Sequence, residues 1–186
     1  MATKAALESY LQLPQIRAAL DTIAWAEGGK SYNTLYGGGT FTGIQHPNRA
    51  ITAGAYTSTA AGRYQFLYGT WLGIKTKLGL ADFSPRNQDI ATLKLIDERG
   101  QLGKLLNGDF EGMMRGLGCA WAALPYSTCR QKMRPLGDTM NYYNGALRVY
   151  GGKAKVTVPA AIAGSSGALV FAVLAVAMAL LFAREE

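Results

Sequence analysis

Between Pro14 and the pair Gly28–Gly29, the residues Ile16, Ala19, Leu20, Ile23 and Ala24 recur at the three- and four-residue spacing of one helix face. Proline suits a first helical position, where its missing N–H has no partner to lose, and glycine leaves a helix most easily through the left-handed region. The spacing therefore predicts an apolar helix of roughly four turns, which the rest of the chain must surround. Its last turn carries one acid, Glu27, two residues after Trp25.

A carboxylate at that place is electrostatically awkward. The unpaired carbonyls of a helix C-terminus carry partial negative charge, and burial beside Trp25 and the apolar face would add desolvation. Both effects keep the proton on Glu27. A glutamate still protonated near neutral pH can donate to a leaving oxygen, and the glycines behind it let another chain approach closely. A glycosidic-bond acid needs that arrangement. Position alone equally describes a surface glutamate at a frayed helix end.

The remaining pattern predicts a mostly helical, α+β plan. Residues 31–45, rich in Gly, Thr and Tyr, read as a small hairpin turning at Gly37–Gly39. A helix is expected over about 61–78. Ser84-Pro85 opens another that carries Ile90, Leu93 and Ile96 to Arg99 and stops at Gly100. Asp109 caps a helix bearing Met113, Met114, Leu117 and Trp121, ending before Pro125. A last one covers about 136–149 and stops at Gly151–Gly152. The body is thus residues 1–152, followed by a basic, flexible linker at 153–166. Residues 167–183 then lack any charge or strongly polar group, and 184–186 form a charged tail. A bilayer core takes about 20 apolar helical residues, so 167–183 are expected to be a transmembrane helix, a buried core helix being the alternative.

Charge narrows the partners. Of 19 Lys+Arg and 12 Asp+Glu, only Arg184, Glu185 and Glu186 lie beyond Lys155, so the basic excess sits in the body. Such a balance suits an anionic envelope, anionic lipid or nucleic acid, but the basic residues are scattered, and a nucleic-acid tail is not indicated. One histidine, His46 in HPNR, and two cysteines ten apart, Cys119 and Cys129, argue against a zinc enzyme and against a Ser-His-Asp triad; no cofactor or metal is expected. A disulfide and two free thiols both fit that cysteine pair. The amino terminus lacks the apolar core of a signal peptide.

AWAEGG at 24–29 is followed in order by GIQHPNRAIT (43–52), STAAGRYQFL (58–67), LGLADFSPRNQDIATLKLIDERGQL (78–102) and CAWAALP (119–125). Together these closely resemble the phage endolysins of the lambda type, lysozyme-like peptidoglycan lytic transglycosylases, over about 17–125 and more faintly to 152. The resemblance implies a lysozyme-like domain acting on glycan strands, with Glu27 as catalytic acid and Arg63, Tyr64 and Gln65 lining the sugar cleft. YYNGA at 142–146 is similar to the Tyr-Asn motif of cellular lytic transglycosylases, which suggests substrate contact by Tyr143 or Asn144.

Three departures stand out. YSTCRQK at 126–132 replaces a Gly-Tyr-Gly run, Asn33 stands where the family has an aspartate, and an apolar tail is appended. A hydrolytic muramidase of the same fold would need a second acid. Asp82, Asp97 and Glu98 are examples of acids that could serve, each more simply read as a solvated helix charge. The third alternative is a non-catalytic virion membrane protein that keeps the fold. Lys153, Lys155 and Arg148 before the apolar segment, against Arg184 after it, favour a cytoplasmic body by the positive-inside rule, away from the wall. The expected location is therefore the bacterial envelope, reached as a virion component or during lysis, with lipid and other virion proteins as partners.

Overall fold

The computed structural model describes residues 1–29, 31–129 and 131–153, which belong to one compact unit. The expected span at 167–183 lies outside them. Among the described residues no helix is long and apolar enough to cross a membrane.

The predicted first helix is present as α2, Pro14–Glu27, with Pro14 in its first turn and Gly28 left-handed (φ 72°) at its end. Ile16, Ala19, Leu20 and Ile23 are all buried, and at about 1.5–3 kcal/mol for each large apolar side chain this face is a principal source of stability. Before it lies α1, Lys4–Tyr10, capped by the Thr3 hydroxyl on the Ala6 N–H. After it the chain is irregular up to residue 50. An isolated bridge between Thr34 and Thr40 flanks a short 3-10 turn, Tyr36–Gly38. The hairpin expected at 31–45 is reduced to that bridge.

The true sheet follows it. Strand β1, Ile51–Ala53, pairs antiparallel with β2, Tyr56–Ser58, in the register Ile51↔Ser58 and Ala53↔Tyr56. Gly54 (φ 63°) takes the first place of a two-residue turn, the position where this hairpin type demands glycine.

The helix expected over 61–78 begins later, as α3, Tyr68–Leu78. Residues 61–66 form a tight turn closed by reciprocal hydrogen bonds between Ala61 and Phe66, with Gly62 and Gln65 both left-handed, so no helix can run through them. Helix α4, Pro85–Glu98, matches expectation, although Ser84 stands at its N-cap without a side-chain bond. A short helix with no strong periodic signal, α5 (Leu102–Leu106), comes next. Asp109 caps α6 (Phe110–Arg115) by accepting from the Gly112 N–H, but that helix ends at Gly116, well short of Trp121. The last helix, α7, is Leu136–Val149 and packs along α2.

One buried amide organises the centre. Gln88, 1% exposed, accepts the Arg63 N–H (2.9 Å) and donates to the carbonyls of Tyr32 (3.0 Å) and Phe83 (2.8 Å). A Cβ on Gly62 would overlap both the Gln88 amide and the Phe83 ring, so glycine is required there by space as well as by φ. Next to Gln88, Asp89 accepts the hydroxyls of Tyr32 (2.9 Å) and Tyr64 (2.6 Å).

Tyr143 belongs to the core rather than to a substrate surface. It is 3% exposed and stacks on Phe110 at 4.3 Å between ring centroids. Its hydroxyl has no hydrogen-bond partner among the described residues, and burial pushes its pKa to about 12. Tyr143→Ala should cost about 3–5 kcal/mol in denaturant unfolding, whereas Tyr143→Phe, which removes only the unpaired hydroxyl, should match or exceed the parent.

Candidate active site

Glu27 is the last residue of α2. The chain turns away at once through Gly28, and Gly29 donates its N–H back to the Ala24 carbonyl (3.0 Å). A Cβ on Gly29 would collide with the Arg63 carbonyl, so the glycine pair brings the helix end directly against the 61–66 turn. From across the fold the Ala123 N–H donates to Glu27 Oε1 at 3.0 Å. Burial is the largest influence on the carboxyl and raises its pKa; the Ala123 N–H and the Arg134 guanidinium pull the other way.

Trp25 is sheltered by two neighbours. Tyr142 stacks on it at 4.9 Å with the planes 17° apart, and the Arg134 guanidinium lies 4.8 Å from its ring centroid. An open groove of about 360 Å³ runs along this side, lined by Trp25, Tyr142, Gly28, Gly29, Asp21 and Arg63.

The residues of the GRYQ turn have different tasks. Arg63 points to Asp21 (2.7 Å) and to the Tyr32 hydroxyl (3.1 Å), tying the turn to α2. Tyr64 is fully buried, with its hydroxyl on Asp89, and offers no ring face to a sugar. Gln65 is half-buried and left-handed; its amide nitrogen donates to the Gly62 carbonyl (2.9 Å) and so holds its own turn. Asn144 is half-buried on α7. The turn is therefore brought against Glu27 by its backbone, while Arg63 and Tyr64 face a half-buried polar network with Tyr32, Asp21, Asp89 and Tyr150, whose hydroxyl reaches Asp21 at 2.6 Å.

The 118–129 loop, where the sequence departs from its resemblance, is held from three directions. Cys119 and Cys129 are joined as a disulfide, Cα atoms 5.1 Å apart. The Trp121 indole N–H donates to the Tyr64 carbonyl (3.2 Å). Tyr126, left-handed at φ 64°, places its hydroxyl on Glu111 (2.7 Å) beneath the Arg115 guanidinium, which bonds to both. None of these ties requires the missing glycines. Asn33 likewise has its own use: its amide donates to the Phe41 carbonyl (3.1 Å), a bond an aspartate carboxylate cannot make.

Other acids are engaged elsewhere. Asp82 accepts the Ser84 N–H and the Asn87 amide, Asp97 pairs with Lys94 (3.0 Å), and Glu98 with Lys77 (2.9 Å). His46 is buried among aromatic rings; its Nδ1 accepts the Asn48 N–H, so its Nε2 carries the proton donated to the Phe66 carbonyl. Among the described residues there is no group of acids, cysteines or histidine able to hold a metal.

A helix-end glutamate, sealed by a loop N–H inside a helical body with a two-stranded sheet, is the plan of a lysozyme-like wall-degrading enzyme. The family model described as Endolysin matches residues 17–150, and the chain belongs to that family: it is a phage-endolysin-type enzyme that degrades peptidoglycan. It is 38% identical over 122 residues to the endolysin of Escherichia phage lambda, covering 60% of this chain and 77% of that one. It is 39% identical over 100 residues to the endolysin of Escherichia phage P2, covering 54% and 61%. Among solved structures, bacteriophage lambda lysozyme in complex with a chitohexasaccharide superposes with a TM-score of 0.67 at 32% identity, over 76% of this chain and 97% of that one. A second lambda lysozyme structure gives 0.65 at 30% identity over the same shares.

The raised pKa of Glu27 has a consequence for stability. Its protonated form is favoured by folding, so that contribution is full below the unfolded value of 4.5 and is lost as pH climbs through the higher folded value. Glu27→Gln keeps an acceptor for the Ala123 N–H and abolishes the buried charge. Its melting temperature at pH 7 should therefore equal or exceed the parent's, and the gap should close as pH falls below 4.5. Replacing both cysteines by alanine removes a cross-link closing an eleven-residue loop and should cost about 3 kcal/mol of unfolding free energy in the chain-entropy picture.

Proposed function

We propose that the protein is a lytic transglycosylase that cleaves the β-1,4 bond between N-acetylmuramic acid and N-acetylglucosamine, with Glu27 as its catalytic group. The observation that carries this reading is that Glu27 has no free carboxylate beside it among the described residues: the Ala123 N–H donates to Glu27, Asp21 on the same helix is held by Arg63 and Tyr150, and Asp82, Asp97 and Glu98 are all committed to other partners. A transglycosylase can use one acid twice. Protonated Glu27 gives its proton to the bridging oxygen, the C1–O bond breaks, and the N-acetylglucosamine hydroxyl leaves. The resulting carboxylate takes the proton of the muramic C6 hydroxyl, whose oxygen bonds to C1. The product is a 1,6-anhydro sugar; no water is consumed, and Glu27 ends protonated as it began. The glycan strand is the partner this reading requires, and the solved complex of a related lysozyme with a chitohexasaccharide supports a saccharide ligand.

The apolar segment 167–183 supports a further element of the proposal: attachment to a bilayer that keeps the body close to the wall. The body would work at the envelope, facing the periplasm, either carried there with a virion or exported during lysis. Both placements resolve the conflict between the basic flank of the segment and the location of the substrate.

The test is to digest purified peptidoglycan with the full chain and weigh the muropeptides. Anhydro ends, each lighter by one water than a reducing end, are expected, and Glu27→Gln should lower the rate by roughly 10²–10⁴-fold. Reducing ends would identify a hydrolase. Activity retained in Glu27→Gln would remove Glu27 from the chemistry.

A further inference from the structure

Four links close a ring around Glu27. The Ala123 N–H donates to Glu27 Oε1 at 3.0 Å, and the Ala123 carbonyl accepts the Arg134 N–H at 2.8 Å. The Arg134 Nε donates to the Ala26 carbonyl at 3.4 Å, and Ala26 is bonded to Glu27. The same guanidinium lies over Trp25. Arg134 thus touches both the loop that feeds a hydrogen bond to the acid and the helix turn that carries the acid. We propose that Arg134 is a positioning residue for glycan cleavage: it pins the 131–135 segment over the end of α2 and supplies the positive charge that balances Glu27 once its proton has gone. The inference rests on the reading of Glu27 as the catalytic acid.

A carboxyl that must give a proton and then take one cannot favour either state strongly. Burial favours the protonated state, and the charge of Arg134 opposes it. Among the described residues, most of the other charged and titratable groups near this end are engaged by partners of their own. On α2, Asp21 is held by Arg63 and Tyr150. In the 61–66 turn, Arg63 is held by Asp21 and Tyr64 by Asp89. In the 118–129 loop, Tyr126 is held by Glu111 and the cysteines are joined. Lys132, beside Arg134, and Asp138 on α7 are exposed to solvent, and Tyr142 on α7 stacks on Trp25. Among the described residues, Arg134 is the one whose charge acts on the Glu27 carboxyl. Because Arg134 is itself exposed, solvent screens its pull, so it trims the effect of burial without cancelling it.

The experiment compares the full chain with Arg134→Gln, Arg134→Lys and Glu27→Gln. It records kcat and kcat/KM against pH on glycan fragments from peptidoglycan, and the melting temperature of each variant. Arg134→Gln should move the basic limb of kcat/KM to higher pH and lower kcat at neutral pH roughly five- to tenfold, as expected for losing one charge-assisted contact, with KM little changed. Arg134→Lys keeps the charge and should return the limb towards the parent's position. An unmoved limb in Arg134→Gln, or an equal displacement in both variants, would overturn the proposal. So would a loss of melting temperature common to both variants with the limb in place, since Arg134 would then serve stability alone. Full activity in Glu27→Gln would instead defeat the assignment of the acid, which separates that failure from failure of the role given to Arg134.

Discussion

The hydrogen bond from the Ala123 N–H to the Glu27 carboxyl joins positions 96 residues apart, and both sides of it are built by features that would otherwise have no common purpose. On one side, Gly28 and Gly29 stop α2 and press its end against the Arg63 carbonyl. On the other, the disulfide, the Trp121 indole and the Tyr126–Glu111–Arg115 cluster hold the loop that presents Ala123. A single such bond nets only about 1 kcal/mol, so it does not hold the loop in place. The burial of Trp121 and Leu124 does that, and the bond is made because packing has already brought the N–H to the acid.

Beneath this lies a polar layer that converts packing into position. Gln88 meets three backbone groups from three separate segments, and Asp89 receives two tyrosine hydroxyls. Burial raises the Asp89 pKa, while those hydroxyls and Arg63 oppose the rise. Buried polar groups with every partner present are specific, because any displacement leaves one of them unpaired at a cost of about 1–3 kcal/mol. The 61–66 turn is thereby fixed to α4 as well as to α2, and the groove that Arg63 lines with Trp25 and the glycine pair inherits that rigidity.

The parts legible in the sequence were those governed by local rules. The ends of α2 and of α4 follow from Pro14, Gly28, Pro85 and Gly100, and α7 from its periodic face and its terminal glycines. Asp109 was recognisable as a cap, but α6 closes at Gly116 because the disulfide loop and its indole bond claim the residues after it. Residues 61–67 carry apolar spacing suitable for a helix, yet the Gln88 amide occupies the space that a side chain on residue 62 would need, a fact contained only in the tertiary structure. The chemistry of Glu27 was readable from its helix end and neighbouring glycines; the Ala123 N–H was not, since a backbone donor leaves no mark on side-chain sequence. Tyr64 and Tyr143, plausible as sugar contacts by motif, are core residues, and it is Tyr142, one position earlier in the YYNGA run, that faces the groove. Arg134 had no motif to announce it.

The central claim is that burial holds the Glu27 proton against the combined pull of one N–H and one guanidinium. The most direct measurement is the titration of the Glu27 carboxyl carbon by NMR in the folded protein, with Glu27→Gln to assign the resonance. The account predicts a midpoint above the ordinary glutamate value of 4.5. A midpoint at or below 4.5 would mean that the hydrogen bond and the cation outweigh burial, leaving Glu27 ionised and unable to open the reaction as its acid.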